Sequence, residues 1–69
     1  MDAPFVSALY NQFTSHLELC FSSFDRATEW WDLVQSLQAV LRLLEHKKFA
    51  SLPLIPQVFP LLVIRVLPL

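Results

Sequence analysis

Residues 28–48 read TEWWDLVQSLQAVLRLLEHKK. Trp30, Leu33, Val34, Leu37, Val40, Leu41 and Leu44 recur at three- and four-residue steps and share one arc of a helical wheel, while Asp32, Gln35, Gln38, Arg42 and Glu45 take the other side. The pattern predicts an amphipathic helix over about 28–48. Thr28 is its expected N-cap, Glu29 and Asp32 fall in the first turn, where the helix dipole favours acids, and His46, Lys47 and Lys48 close it, where cations suit the negative end. Trp31 and Leu43 fall outside the apolar arc and are expected to meet something beyond a two-helix pair.

Toward the N-terminus, Phe5, Leu9, Phe13, Leu17 and Cys20/Phe21 repeat at helical spacing, which predicts a first helix over about 3–22. Asp2 can cap it, and Pro4 is tolerated in the first turn because that N–H has no helical partner. The cluster Ser22-Ser23-Phe24-Asp25 reads as the turn that follows. Beyond residue 48, Ser51-Leu52-Pro53-Leu54-Ile55-Pro56 is expected to be extended or turned, since each proline biases its predecessor away from the α region. A short third helix can start near Pro56–Pro60, with Pro60 in its first turn, and run to Val66 or Leu67 before Pro68. The fold class is therefore all-α: an antiparallel helical hairpin, closed through Phe13, Leu17, Phe21 and the stripe from Trp30 to Leu44, plus a short third helix.

Charge divides the chain in two. Ten of the eleven charged side chains lie in residues 1–48, the hairpin, whereas 49–69 hold only Arg65 among fourteen apolar residues and four prolines. The chain has 69 residues, 55% of them hydrophobic, with a net charge of −1. The absence of glycine removes every glycine-rich phosphate loop and nucleophile elbow. A single cysteine excludes an internal disulfide framework, and the near-zero charge without a basic run argues against nucleic-acid binding. An acidic Asp2 stands where a secretory signal would be basic. So much apolar surface exceeds what one small core can hide and calls for a partner surface.

Four features bear on chemistry. His16 and Cys20, four apart on the first helix, have a spacing that can share a metal or pair a nucleophile with a base, but no third ligand or orienting group accompanies them. Glu29 and Asp32 read as dipole-complementing acids rather than paired catalytic carboxylates. Lys47 and Lys48 are too few to hold a lipid surface alone. Residues 49–69 are long enough to span a bilayer as a helix and follow a cationic flank, so a tail anchor is the alternative reading, set against the prolines at 53, 56 and 60 and the charge of Arg65. Interaction or packing falls to Trp30, Trp31, Leu33, Leu37, Leu41 and Leu44.

One stretch resembles a known family. Tyr10 in the first helix, Ser23-Phe24-Asp25 at the turn, Glu29-Trp30-x-Asp32-Leu33-Val34 at the start of the second helix, its leucine-rich continuation and the Leu54-Ile55-Pro56 step are similar, in order and spacing, to the N-terminal region of the Dopey family. The likeness covers about residues 10–59; Trp31 replaces the family's usual alanine, and residues 60–69 are more apolar than its pattern. The resemblance implies the start of an α-solenoid-like stack, seen here as a fragment, a truncated form or a short divergent relative. It implies a non-enzymatic, peripheral role on the cytoplasmic face of Golgi and endosomal membranes, in vesicle-mediated protein transport. The implied partners are a scaffold related to Arf exchange factors, a phospholipid flippase and a kinesin link. No catalytic residue, cofactor, metal, nucleic acid or small-molecule substrate comes with it.

Overall fold

The computed structural model describes residues 3–68 and is all-α, with no strand among those residues. Helix α1 spans Ala3–Arg26, α2 spans Trp30–Glu45, a single 3-10 turn covers Lys47–Phe49, and α3 spans Ile55–Val66. The hairpin and the short third helix are as expected; the cap expected of Asp2 lies outside the described residues. The boundaries differ in instructive ways.

Helix α1 does not stop at Ser22. Ser22 and Ser23 are exposed, while Phe21 and Phe24 continue the buried stripe, so burial of two aromatic rings outweighs the serines' local preference for turns. Arg26 then closes the helix, its Nε donating to the Ser22 carbonyl at 3.3 Å. The reversal falls instead on Ala27–Glu29, and the N-cap of α2 is Glu29, not Thr28. Glu29 is extended (φ −115°, ψ 149°) and its side chain makes no capping bond. Its carbonyl accepts from the N–H groups of Asp32 and Leu33.

The other end of α2 comes three residues early. His46 turns the chain extended (φ −65°, ψ 131°), and its Nδ1 accepts the Lys48 N–H at 3.1 Å, capping the 3-10 turn that follows. The two lysines expected to end α2 therefore sit on that turn. In α3, Pro56 occupies the first turn and Pro60 lies inside the helix, one turn deeper than expected. Proline 60 has no N–H for the Pro56 carbonyl, but both residues are exposed, so water can satisfy that group.

Helix α1 is the spine of the core. Leu9, Phe13, Leu17, Phe21 and Phe24 are buried along it at three- and four-residue steps. Phe5, at the start of the same stripe, is exposed. The cover is not what the hairpin alone predicts. Of the buried apolar side chains facing α1, α2 supplies only Val40, whereas the segment after it supplies Phe49, Leu52, Leu54 and Val58. Residues 49–62 are thus part of one core with the hairpin.

Two contacts fix that segment. Phe49 meets Phe13 edge-to-face, with ring centroids 5.5 Å apart. Forty residues beyond Asp25 in sequence, Arg65 lies with its guanidinium 4.1 Å from the Phe21 ring centroid and its Nε 3.2 Å from Asp25 Oδ1. That Nε approach lacks hydrogen-bond geometry and is Coulombic, whereas Nη2 donates to Asp25 Oδ2 at 3.5 Å and Nη1 to the Leu61 carbonyl at 3.1 Å. Phe49 near Phe13 and Arg65 near Asp25 together mean that α3 runs in the same direction as α1 and opposite to α2.

Phe49→Ala is expected to cost about 3–5 kcal/mol, a large part of the roughly 3–10 kcal/mol available to a domain of this size, and to abolish a cooperative thermal transition. Arg65→Ala loses both the ring contact and the ion pair, about 1–2 kcal/mol. Asp25→Ala loses only the exposed pair, under about 1 kcal/mol. Chemical denaturation of the three variants should rank them in that order, with faster amide exchange in α3 for Arg65→Ala.

Candidate interaction surface

The apolar arc of α2 was expected to pack on α1 from Trp30 to Leu44, and this is corrected. Ser36 and Val40 are the buried residues of α2, with Leu43 and Leu44 packed partly buried against the core. The contact face is rotated toward the small residues Ser36 and Ala39. Large side chains on α1, three of them buried phenylalanines, need small partners opposite them if the two backbones are to approach. Ser36 meets the cost of burial by donating its Oγ to the Asp32 carbonyl at 2.9 Å. Leu43, expected to meet something beyond the two-helix pair, packs partly buried against the core through the same rotation.

The rotation leaves much of the arc in solvent. Trp30 is 76% exposed and Leu41 53%, while Leu33 and Leu37 are half-buried. Trp31, off the arc, is 61% exposed. Of the six residues singled out for interaction, the structure therefore sends Leu44 inward, leaves Leu33 and Leu37 at the boundary and places Trp30, Trp31 and Leu41 outside. On α3, Ile55, Phe59, Ile64 and Leu67 are exposed as well.

Two clefts flank α2. One, of about 460 Å³, opens between α1 and α2 and is lined by Leu19, Cys20, Ser23, Arg26, Asp32 and Gln35 among others. The other, of about 480 Å³, lies beyond the last turns of α2 and is apolar, with Leu41, Leu44, Phe49, Leu52, Leu54 and Ile55 in its walls. Sequence reasoning did not see this second cleft, because it forms only when residues 49–55 fold back onto the end of α2.

The chemistry-bearing residues do not assemble into a reactive group. His16 is exposed, with its ring tilted against Phe49 at 6.4 Å, and it makes no hydrogen bond with Cys20. Burial pushes the Cys20 thiol up from its ordinary value, the opposite of an activated nucleophile. Among the described residues no three His, Cys, Asp or Glu side chains stand where they could hold one metal ion. Glu29 and Asp32 are exposed at the start of α2, and Lys48 reaches back over the Phe49 ring at 5.9 Å. What the surface presents in quantity is apolar area. No protein-family model matches the chain, and no curated protein or solved structure does either.

A raised thiol pKa leaves less thiolate at a given pH. Alkylation of native Cys20 should therefore be slower than that of the denatured chain at neutral pH and accelerate as pH rises, and a native rate above the denatured one would contradict the desolvation reading.

Proposed function

We propose that this chain is a non-enzymatic helical interaction module. The observation that carries the reading is the pair Trp30 and Trp31, both mostly solvent-exposed on a helix whose neighbours hold a formed core. Exposed tryptophans are costly in solution and are concentrated where a partner covers them. A face of this kind recognises by burial and shape and needs no cofactor.

The finer reading is a unit like those of the Dopey N-terminal region, acting in vesicle-mediated protein transport on the cytoplasmic face of Golgi and endosomal membranes. It rests on Tyr10, Ser23-Phe24-Asp25, Glu29-Trp30-x-Asp32-Leu33-Val34 and Leu54-Ile55-Pro56 and on nothing else. In that reading, further helical pairs, an Arf-exchange-factor-like scaffold or a flippase cover the exposed faces, as neighbouring repeats do in a solenoid.

The alternative is a small membrane protein anchored by residues 49–69. The exposure of Ile55, Phe59, Ile64 and Leu67 around α3 favours it. Against it stands length: α3 has 12 residues, about 18 Å at helical rise, and a hydrocarbon core is about 30 Å thick. No helix among the described residues is long and apolar enough to cross a membrane.

Expression of the tagged chain in cells, followed by fractionation and alkaline carbonate extraction, tests both. The module is expected to co-sediment with Golgi and endosomal membranes and to be released by carbonate. Retention in the carbonate pellet would support the anchor, and diffuse distribution with no membrane fraction would remove the trafficking reading.

A further inference from the structure

Helix α3 carries two polar side chains, Gln57 and Arg65, and has no polar side. Val58, Leu62 and Arg65 turn inward, Arg65 onto Phe21 and Asp25. On the outer side of the wheel, Phe59 and Ile64 flank Pro56, Pro60 and Leu67, and all five are exposed. Phe59 stands 63% in solvent, Ile64 67% and Leu67 78%. A helix that is apolar all round belongs inside a core or in lipid, yet the outer half of this one is uncovered. We infer that α3 lies flat in the headgroup–acyl boundary of an anionic lipid surface, outer side down, with Lys47 and Lys48 at the headgroups.

Charge selects that occupant. Residues 1–45 hold all six acids and two arginines, a net −4, whereas residues 46–69 hold Lys47, Lys48, Arg65 and no acid, a net +3. Glu45, the last acid of the chain, precedes the bend at His46. Arg65 is matched by Asp25, but Lys47 and Lys48 are exposed on the turn that leads into the segment, and neither makes an ion pair among the described residues. Two lysines alone hold a lipid surface poorly; two lysines beside an apolar helix supply both parts of the attraction. Helix α2 lacks this combination, since it carries Asp32 and Glu45 against Arg42.

The chemistry of the outer side agrees. Of the exposed residues from Ile55 to Pro68, Gln57 is the one with a hydrogen-bonding side chain. A protein partner is held in register by about one hydrogen bond per 100–200 Å² of interface, and this side offers almost none. A bilayer boundary requires apolar side chains at one level and no register. Depth follows from the backbone. Pro60 leaves the Pro56 carbonyl without its helical N–H, which the wet headgroup boundary satisfies and the hydrocarbon centre does not. The 12 residues of α3, about 18 Å at helical rise, fit along such a surface. Nothing crosses the bilayer, which separates this contact from an anchor, and it uses neither the tryptophan pair nor a protein partner.

Flotation of the purified full chain with vesicles tests the contact. Binding is expected to vesicles of phosphatidylcholine with about 30% phosphatidylserine, to be at least about 10-fold weaker with phosphatidylcholine alone, and to weaken as salt rises. Lys47→Gln together with Lys48→Gln is expected to weaken it by up to about 30-fold, each lysine near an anionic surface being worth about a factor of five. Phe59→Gln together with Leu67→Gln, at positions too exposed to unfold the chain, is expected to weaken it by at least about 10-fold. Trp30→Gln with Trp31→Gln is expected to leave it unchanged. Phe59→Trp, in a chain carrying Trp30→Phe and Trp31→Phe, is expected to shift its emission to the blue on binding. Bromines placed near the glycerol should quench that emission more than bromines at the acyl ends.

A wild type that does not float with anionic vesicles overturns the inference. So does binding that survives Phe59→Gln with Leu67→Gln, or that is lost on changing the two tryptophans, while each chain keeps its helical circular dichroism. Quenching strongest at the acyl ends would overturn it in favour of the anchor, and self-association in place of vesicle binding would assign the face to a second copy. Cell fractionation reports recruitment by any route, so the lipid contact and the trafficking reading stand or fall separately.

Discussion

The edge-to-face contact between Phe13 and Phe49 is the constraint on which the rest of this small structure depends. Phe13 is 1% exposed at the middle of α1, and Phe49 ends the 3-10 turn that reverses the chain after α2. Without that ring in place, the segment from Leu52 to Val58 is tied to α1 only by its own apolar side chains and by Arg65 at the far end of α3, and the spine loses much of its cover. The contact explains why α2 can pack through small residues: the bulk that fills the space beside the α1 phenylalanines comes from the tail. It also explains the direction of α3, which starts beside one aromatic anchor and reaches a second where Arg65 lies on Phe21.

Local pattern was legible in the sequence wherever one helix face decided it. The stripe from Leu9 to Phe21 marks the buried side of α1, and the existence of α2 and α3 follows from periodicity and the placement of the prolines. Properties that depend on two elements meeting were not legible. The apolar arc of α2 identifies a helix but not that the face meeting α1 is turned toward Ser36, because that depends on the size of the side chains opposite. Arg65 looks like an unpaired charge in an apolar tail until the fold brings Asp25 and Phe21 to it. The extension of α1 through Ser22 and Ser23 is a contest between local turn preference and the burial of Phe24, and only tertiary packing decides it. For the surface, the tryptophan pair was visible beforehand, whereas the cleft behind Leu44 required the fold.

A core built mainly on one spine helix, with cover from a thin second helix and a folded-back tail, leaves both outer helices with apolar residues in water. That arrangement leaves apolar area uncovered that a partner surface would bury. Trp30, Leu41 and their neighbours offer a surface that an apolar, shape-matched partner would cover.

The chain ends and restarts its helices without glycine, and no described residue has a positive φ. Helices often stop on a left-handed glycine; here an extended His46, an extended Glu29 and a series of prolines set the boundaries. The consequence lies in the denatured chain. A polypeptide with no glycine and five prolines samples fewer backbone conformations before it folds. Each glycine replaced at a compatible site is worth about 0.4–1 kcal/mol of entropy that need not be lost. A 69-residue chain with so limited a core gains part of its stability from this stiffness, before any two side chains have met.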